Sequence, residues 1–174
     1  LAACAVAGQY QLNMLEVVEV FRDFKAPKGR MNLLEGIKET TIIDDTYNSS
    51  PTALNSALST VNEVKGFSRK IAVLGDMLEL GKFSVDAHTS SGIQSAECVD
   101  MLVTVGVRAR GIAEAAINAG MDESNVFQYD EAALAGRELQ TLIRPGDLLL
   151  IKGSQGMRME RIVADLMAEP DKAG

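Results

Sequence analysis

Apolar residues follow two rhythms along this chain, and the switches between them predict its elements. Over residues 51–65, Leu54, Ala57, Leu58 and Val61 recur at helical spacing, which gathers them on one face for a core to cover. Pro51 stands in the first turn, where the N–H it lacks would have no intrahelical partner. Elsewhere the apolar residues run nearly unbroken for a strand's length, over 70–75, 101–106 and 148–151. Such runs suit parallel strands covered on both faces by helices. Helical patterns over 86–97, 108–119, 131–143 and 157–167 separate them, with a short strand at 126–128. Segments 30–36 and 40–44 read as two strands close enough for a hairpin. This alternation predicts an open, mostly parallel α/β sheet with right-handed crossovers.

The first 25 residues break the rhythm. An apolar start stops at Gly8, and Asn13 stands where it can cap a second helix with Leu15, Val18, Phe21 and Phe24 on one stripe. Pro27-Lys28-Gly29 ends that helix and reads equally as a hinge or an ordinary loop. The start lacks a Met, a basic leader and the length of a membrane span. It reads as a helix cut in its middle, so the chain is expected to be a piece of a longer protein.

Composition narrows the class. The 174 residues are 47% hydrophobic and 24% charged, which fits one globular domain with a fragment of a neighbour. A net charge of −7 with scattered Lys and Arg argues against a nucleic-acid partner. Cys4 and Cys98 are far apart and match no zinc or disulfide spacing, so a reducing cytoplasm is expected and no metal site. There is no Gly-x-x-x-x-Gly-Lys-Ser/Thr loop, so this chain by itself is no P-loop ligase.

Polar clusters follow three of the strand patterns: 44–50, 76–79 and 152–154. In a parallel sheet the carboxyl ends share one edge, where ligands bind, so the clusters are candidates for one site; three independent turns are the alternative. Asp44 and Asp45 suit a ribose hydroxyl or a metal-bound water. Strand alternation lets only one of them face a given ligand, which leaves the other to cap a turn. Lys152, Gly153 and Ser154 offer a cation, a close backbone approach and a hydroxyl at the expected entrance to a helix, a place that favours anions. Arg30 is a phosphate candidate or a solvated surface residue. His88, the one histidine, reads as a surface or partly packed residue rather than a base.

Taken in order, Gly29-Arg30, Asp44-Asp-Thr-Tyr-Asn-Ser-Ser-Pro51, Leu74-Gly-Asp-Met-Leu-Glu-Leu-Gly81, and Lys152-Gly-Ser154 with the segment 157–163 resemble the C-terminal domain of the Mur ligases. The resemblance implies a Rossmann-like, mostly parallel sheet with helices on both faces for residues 27–174. It makes residues 1–26 a helical remnant of the central ATPase domain. Within the family the pattern is most similar to the type that joins D-alanyl-D-alanine to UDP-MurNAc-tripeptide through an acyl phosphate, in cytoplasmic peptidoglycan precursor synthesis.

ATP as co-substrate and Mg2+ are then implied, both held mainly by the absent central domain, and the isolated chain is expected to be inactive. The partners implied are the two substrates and the ligase's own N-terminal and central domains, with no membrane. Residue by residue, Arg30 matches the arginine that reaches the ATP phosphates, and Asp45 the acid at the ribose. Asn48, Ser49, Asp76, Glu79, Lys152 and Ser154 stand where the family places the dipeptide or supports its site. The chain departs from the family at Ser49-Ser50, and at Gln155, where Arg is frequent; Arg158 is the candidate to replace that Arg. The same domain of another Mur ligase or of a folylpolyglutamate synthase, and a non-catalytic nucleotide-binding or interaction module, are the alternative readings.

Overall fold

The computed structural model describes residues 2–22 and 26–169. Two short helices come first, α1 (Ala2–Gln9) and α2 (Met14–Arg22), followed by a hairpin of β1 (Asn32–Gly36) and β2 (Thr40–Asp45). The chain then alternates: α3 (Pro51–Glu63), β3 (Arg69–Gly75), α4 (Ser84–Cys98), β4 (Met101–Val105), α5 (Arg110–Asn118), β5 (Val126–Tyr129), α6 (Ala132–Leu142), β6 (Asp147–Lys152) and α7 (Glu160–Leu166).

Six strands form one sheet in the order β1-β2-β6-β3-β4-β5. Only β1 is antiparallel to its neighbour, so the expected mostly parallel α/β sheet is what forms. From β2 to β5 the chain crosses the sheet with α3, α4 and α5 packed on one face. It then returns with α6 on the other face, and β6 inserts between β2 and β3. Right-handed crossovers running in opposite directions put their helices on opposite faces.

The core has two layers, and strand alternation sorts them. Ile43, Ala72, Leu74, Leu102, Leu148 and Leu150 pack under α3, α4 and α5. Ile42, Ile71, Val73, Val103, Leu149 and Ile151 pack under α6 and α7. All four residues expected on the inner face of α3 are buried. Truncating either leucine there to alanine removes contacts worth roughly 2–5 kcal/mol.

The two N-terminal helices contrast with this body. Helix α2 buries none of its described residues; Leu15 is 75% and Val18 51% exposed. Phe24, expected on the same stripe, lies outside the described residues. The closing helix also begins later than residue 157: a 3-10 turn at Gln155–Met157 and a left-handed Arg158 (φ +56°) precede it. The run 157–167 carries an apolar pattern but hides that break.

Candidate functional site

Inserting β6 between β2 and β3 brings the three polar strand ends side by side. Strand β6 is followed by α7 on one face, while its neighbours are followed by α3 and α4 on the other, so the sheet opens at this edge in the manner of a topological switch point. Asp45 lies opposite Lys152 in the parallel register, and Leu74 lies on the other side of Lys152. Alternation then decides the roles of the paired carboxylates. Asp44 points to the α7 face and is buried, where its Oδ1 accepts from Thr46 N and Thr46 Oγ1. It caps the turn, as expected for one of the two. Asp45 points to the α3 face together with Lys152.

Between that face and α3 lies a cavity of ≈ 410 Å³, lined by Arg30, Asp45, Tyr47, Asn48, Ser49 and Lys152 among others. Its far wall is a stripe of small residues on α3, Ala53, Ser56, Ala57 and Thr60. These leave room that larger side chains would fill. Ser50 caps α3, its Oγ accepting from Ala53 N at 3.4 Å. The Ser49 hydroxyl is buried and finds no hydrogen-bond partner among the described residues. A buried, unsatisfied hydroxyl costs on the order of 1–3 kcal/mol, so a ligand that supplies its partner is favoured.

The segment carrying Arg30 is fastened to this cavity. Tyr47 N donates to the Gly29 carbonyl at 3.0 Å, and Met31 N donates to Asp45 Oδ1 at 3.1 Å. Gly29 adopts φ +72°, and a Cβ there would sit 3.0 Å from Tyr47 N, so glycine is required for the close approach. The Arg30 guanidinium stacks over the Tyr47 ring, 4.1 Å from its centroid, a contact that orients the charge without neutralising it. Lys152 Nζ donates to Asp45 Oδ2 at 2.5 Å and to the Asn48 carbonyl at 2.8 Å. Arg30, Asp45, Asn48, Ser49 and Lys152 therefore meet in one place.

Asp76, Glu79 and Ser154 do not line that cavity. Asp76 is buried and Oδ1 accepts from Ala109 N at 2.7 Å, with the Arg108 guanidinium 3.6 Å from Oδ2. Ser154 N donates to the Asp76 carbonyl, and Ser154 Oγ accepts from Leu78 N at 2.9 Å. Glu79 is exposed in a left-handed conformation, φ +63°. His88 is 2% exposed rather than at the surface. Its Nδ1 faces the Ser84 carbonyl at 2.7 Å, which can only accept, so Nδ1 carries the proton and Nε2 accepts from Met77 N at 3.1 Å. The histidine ties the loop after β3 to α4.

The expected helix entrance at Lys152–Ser154 is absent. Ser154 N is spent on Asp76, and α7 starts only at Glu160, so no open helix N-terminus faces an anion there. Arg158 pairs with Glu160 at 2.6 Å and Gln155 is exposed.

The family model for the Mur ligase, glutamate ligase domain, matches residues 29–155. This chain belongs to that family.

The Mur ligase domain has a relative in the UDP-N-acetylmuramoyl-tripeptide--D-alanyl-D-alanine ligase of Bacillus subtilis, 31% identical over 98% of this chain and 37% of that protein. Among solved structures it resembles MurF from Acinetobacter baumannii, with a TM-score of 0.77, 32% identity, and coverage of 97% of this chain and 36% of the other. MurF from Thermotoga maritima, solved in complex with ADP, gives a TM-score of 0.68 at 26% identity, covering 87% of this chain and 33% of that one. The Mur ligase domain thus spans about a third of these relatives' length.

Sequence patterns gave no role to Tyr47, Ser56 or Thr60, all of which line the cavity. One signal for the helix was available: Ala53, Ser56, Ala57 and Thr60 form a small-residue stripe at helical spacing. Among the described residues, three groups have displaced titrations. Burial, then Glu97, pushes the Cys98 thiol up, and burial, then Glu138, raises Tyr129. Hydrogen bonds from Ser124 N and then Oγ lower Asp122. None of these lines the cavity.

Proposed function

We propose that this chain is the C-terminal lid and acceptor-binding domain of an ATP-dependent ligase that joins D-alanyl-D-alanine to UDP-MurNAc-tripeptide in the cytoplasm. The observation that carries the reading is the fastening of Arg30 and Asp45 to one wall of one cavity. Residues 29–31 and 45–47 are joined by two hydrogen bonds and a stacked ring, so the arginine and the acid move as a unit. Residues 27–174 form the lid, and residues 1–26 belong to the central ATPase domain. The exposed apolar side chains of α2 support that division, because an amphipathic helix normally buries such a face.

In this reading Asp45 accepts hydrogen bonds from the ATP ribose hydroxyls and Arg30 meets the phosphates. The orphan hydroxyl of Ser49 and the Asn48 side chain face the incoming dipeptide, while Asp76, Glu79, Lys152 and Ser154 support the site. ATP supplies the phosphoryl group that activates the tripeptide carboxylate. The chain's own part is to bind, orient and exclude water when the lid closes, which protects a hydrolysable acyl phosphate. The linker at 27–29 is the hinge. Mg2+ and most of the contacts to ATP are assigned to the rest of the ligase. No helix of the described residues is long and apolar enough to cross a membrane. The Bacillus subtilis relative is named as a UDP-N-acetylmuramoyl-tripeptide--D-alanyl-D-alanine ligase, which favours this acceptor over those of other Mur ligases.

In the full-length ligase, Arg30→Ala and Asp45→Ala are expected to raise KM for ATP by about tenfold or more, the scale of losing one hydrogen bond to a charged group. KM for UDP-MurNAc-tripeptide should move far less. Unchanged ATP kinetics in both variants would refute the reading. The 174-residue chain alone should show no ligation.

A further inference from the structure

Lys152 holds its charge where lysines are seldom found. It ends β6, and its side chain is only 2% exposed. Burying an ammonium is tolerated when it is paired and hydrogen-bonded, and both conditions are met by Asp45 Oδ2 and the Asn48 carbonyl. An ammonium has three donors. With two committed, Lys152 is poorly placed to reach for an incoming substrate.

What it does hold is the turn from Asp45 to Asn48. The Asp45 carboxylate is gripped from two directions, by Lys152 at one oxygen and by Met31 N at the other. Each oxygen keeps a lone pair, so the carboxylate is oriented and still able to accept from two hydroxyls. On the other side of the turn the Asn48 carbonyl is fixed by the same ammonium.

We infer that Lys152 is a positioning residue for the nucleotide: it sets the Asp45 carboxylate for a vicinal diol and does not bind the dipeptide. This rests on the proposed pairing of Asp45 with the ATP ribose.

The test uses the full-length ligase and the ratio of kcat/KM for ATP to that for 2′-deoxyATP and 3′-deoxyATP. Wild type, Asp45→Ala, Lys152→Met and the double variant are compared. Methionine keeps the length of the lysine stem and removes the charge, and the double variant leaves no unpaired buried charge. The preference for ATP should vanish in Asp45→Ala and fall about tenfold in Lys152→Met, as for one lost charge-assisted hydrogen bond. Adding Lys152→Met to Asp45→Ala should change nothing more, because residues acting as a unit are not additive. A merely structural role would lower the melting temperature and weaken ATP and its deoxy analogues alike, leaving the ratio intact. An unchanged ratio in Lys152→Met beside a lost one in Asp45→Ala overturns the inference, as does a rise confined to KM for D-alanyl-D-alanine. If Lys152→Met fails to fold, Lys152→Gln takes its place with an intermediate ratio expected, and a wild-type ratio there overturns the inference equally. A wild-type enzyme whose rates ignore the ribose hydroxyls, or an Asp45→Ala enzyme that keeps the wild-type preference, instead sinks the nucleotide reading itself.

Discussion

Two polar clusters sit on the same sheet edge one strand apart, yet their chemistry is spent differently. After β3, Asp76 is buried against Ala109 N, Ser154 closes onto the same loop, and His88 ties Met77 to α4. Those groups are consumed by the fold. Around the end of β2, the Arg30 guanidinium is exposed over an aromatic ring, Ser49 has an orphan hydroxyl, and Asp45 keeps lone pairs facing a cavity. That cluster has unspent capacity. The contrast teaches that adjacency at a strand edge does not make a group functional; what counts is which hydrogen-bonding positions the fold leaves open.

The contrast can be broken or sharpened by substitution. The largest effect belongs to Asp76→Ala, which leaves the buried Ala109 N–H without an acceptor and should cost about 2–3 kcal/mol in urea unfolding of the chain. Ser154→Ala removes one neutral hydrogen bond from Leu78 N and should cost about 1 kcal/mol by the same measurement. The smallest effect is expected at Tyr47, which is 49% exposed. Tyr47→Leu should leave stability nearly unchanged while raising KM for ATP in the full-length ligase about twofold to fivefold, the scale of an exposed cation–π contact. Tyr47→Phe should behave as wild type. If Tyr47→Leu unfolds the chain, or Asp76→Ala alters ATP use without touching stability, the division between the two clusters fails.

Much of this was legible in the sequence, for local reasons. The buried strands announced themselves as unbroken apolar runs, α3 as a stripe of four core residues, and the division of labour between Asp44 and Asp45 as simple alternation. What the sequence hid depends on long-range pairing. Nothing local says that β6 inserts between β2 and β3, and only that insertion puts Lys152 beside Asp45, 107 residues away in the chain. The burial of His88 is equally non-local, since its acceptor role is defined by a backbone N–H in the loop after β3. The late start of α7 was missed because apolar periodicity does not register a left-handed Arg158 ahead of it.

The central claim, that the β2 edge is the nucleotide wall and the β3 edge its scaffold, is tested most directly by two variants of the full-length ligase measured side by side. KM for ATP and the melting temperature are determined for Arg30→Ala and Asp76→Ala. The account predicts that Arg30→Ala raises KM for ATP about tenfold at an unchanged melting temperature, and that Asp76→Ala lowers the melting temperature by several degrees with KM for ATP within about twofold of wild type. The reverse pattern, or ATP kinetics untouched by loss of Arg30, would contradict it.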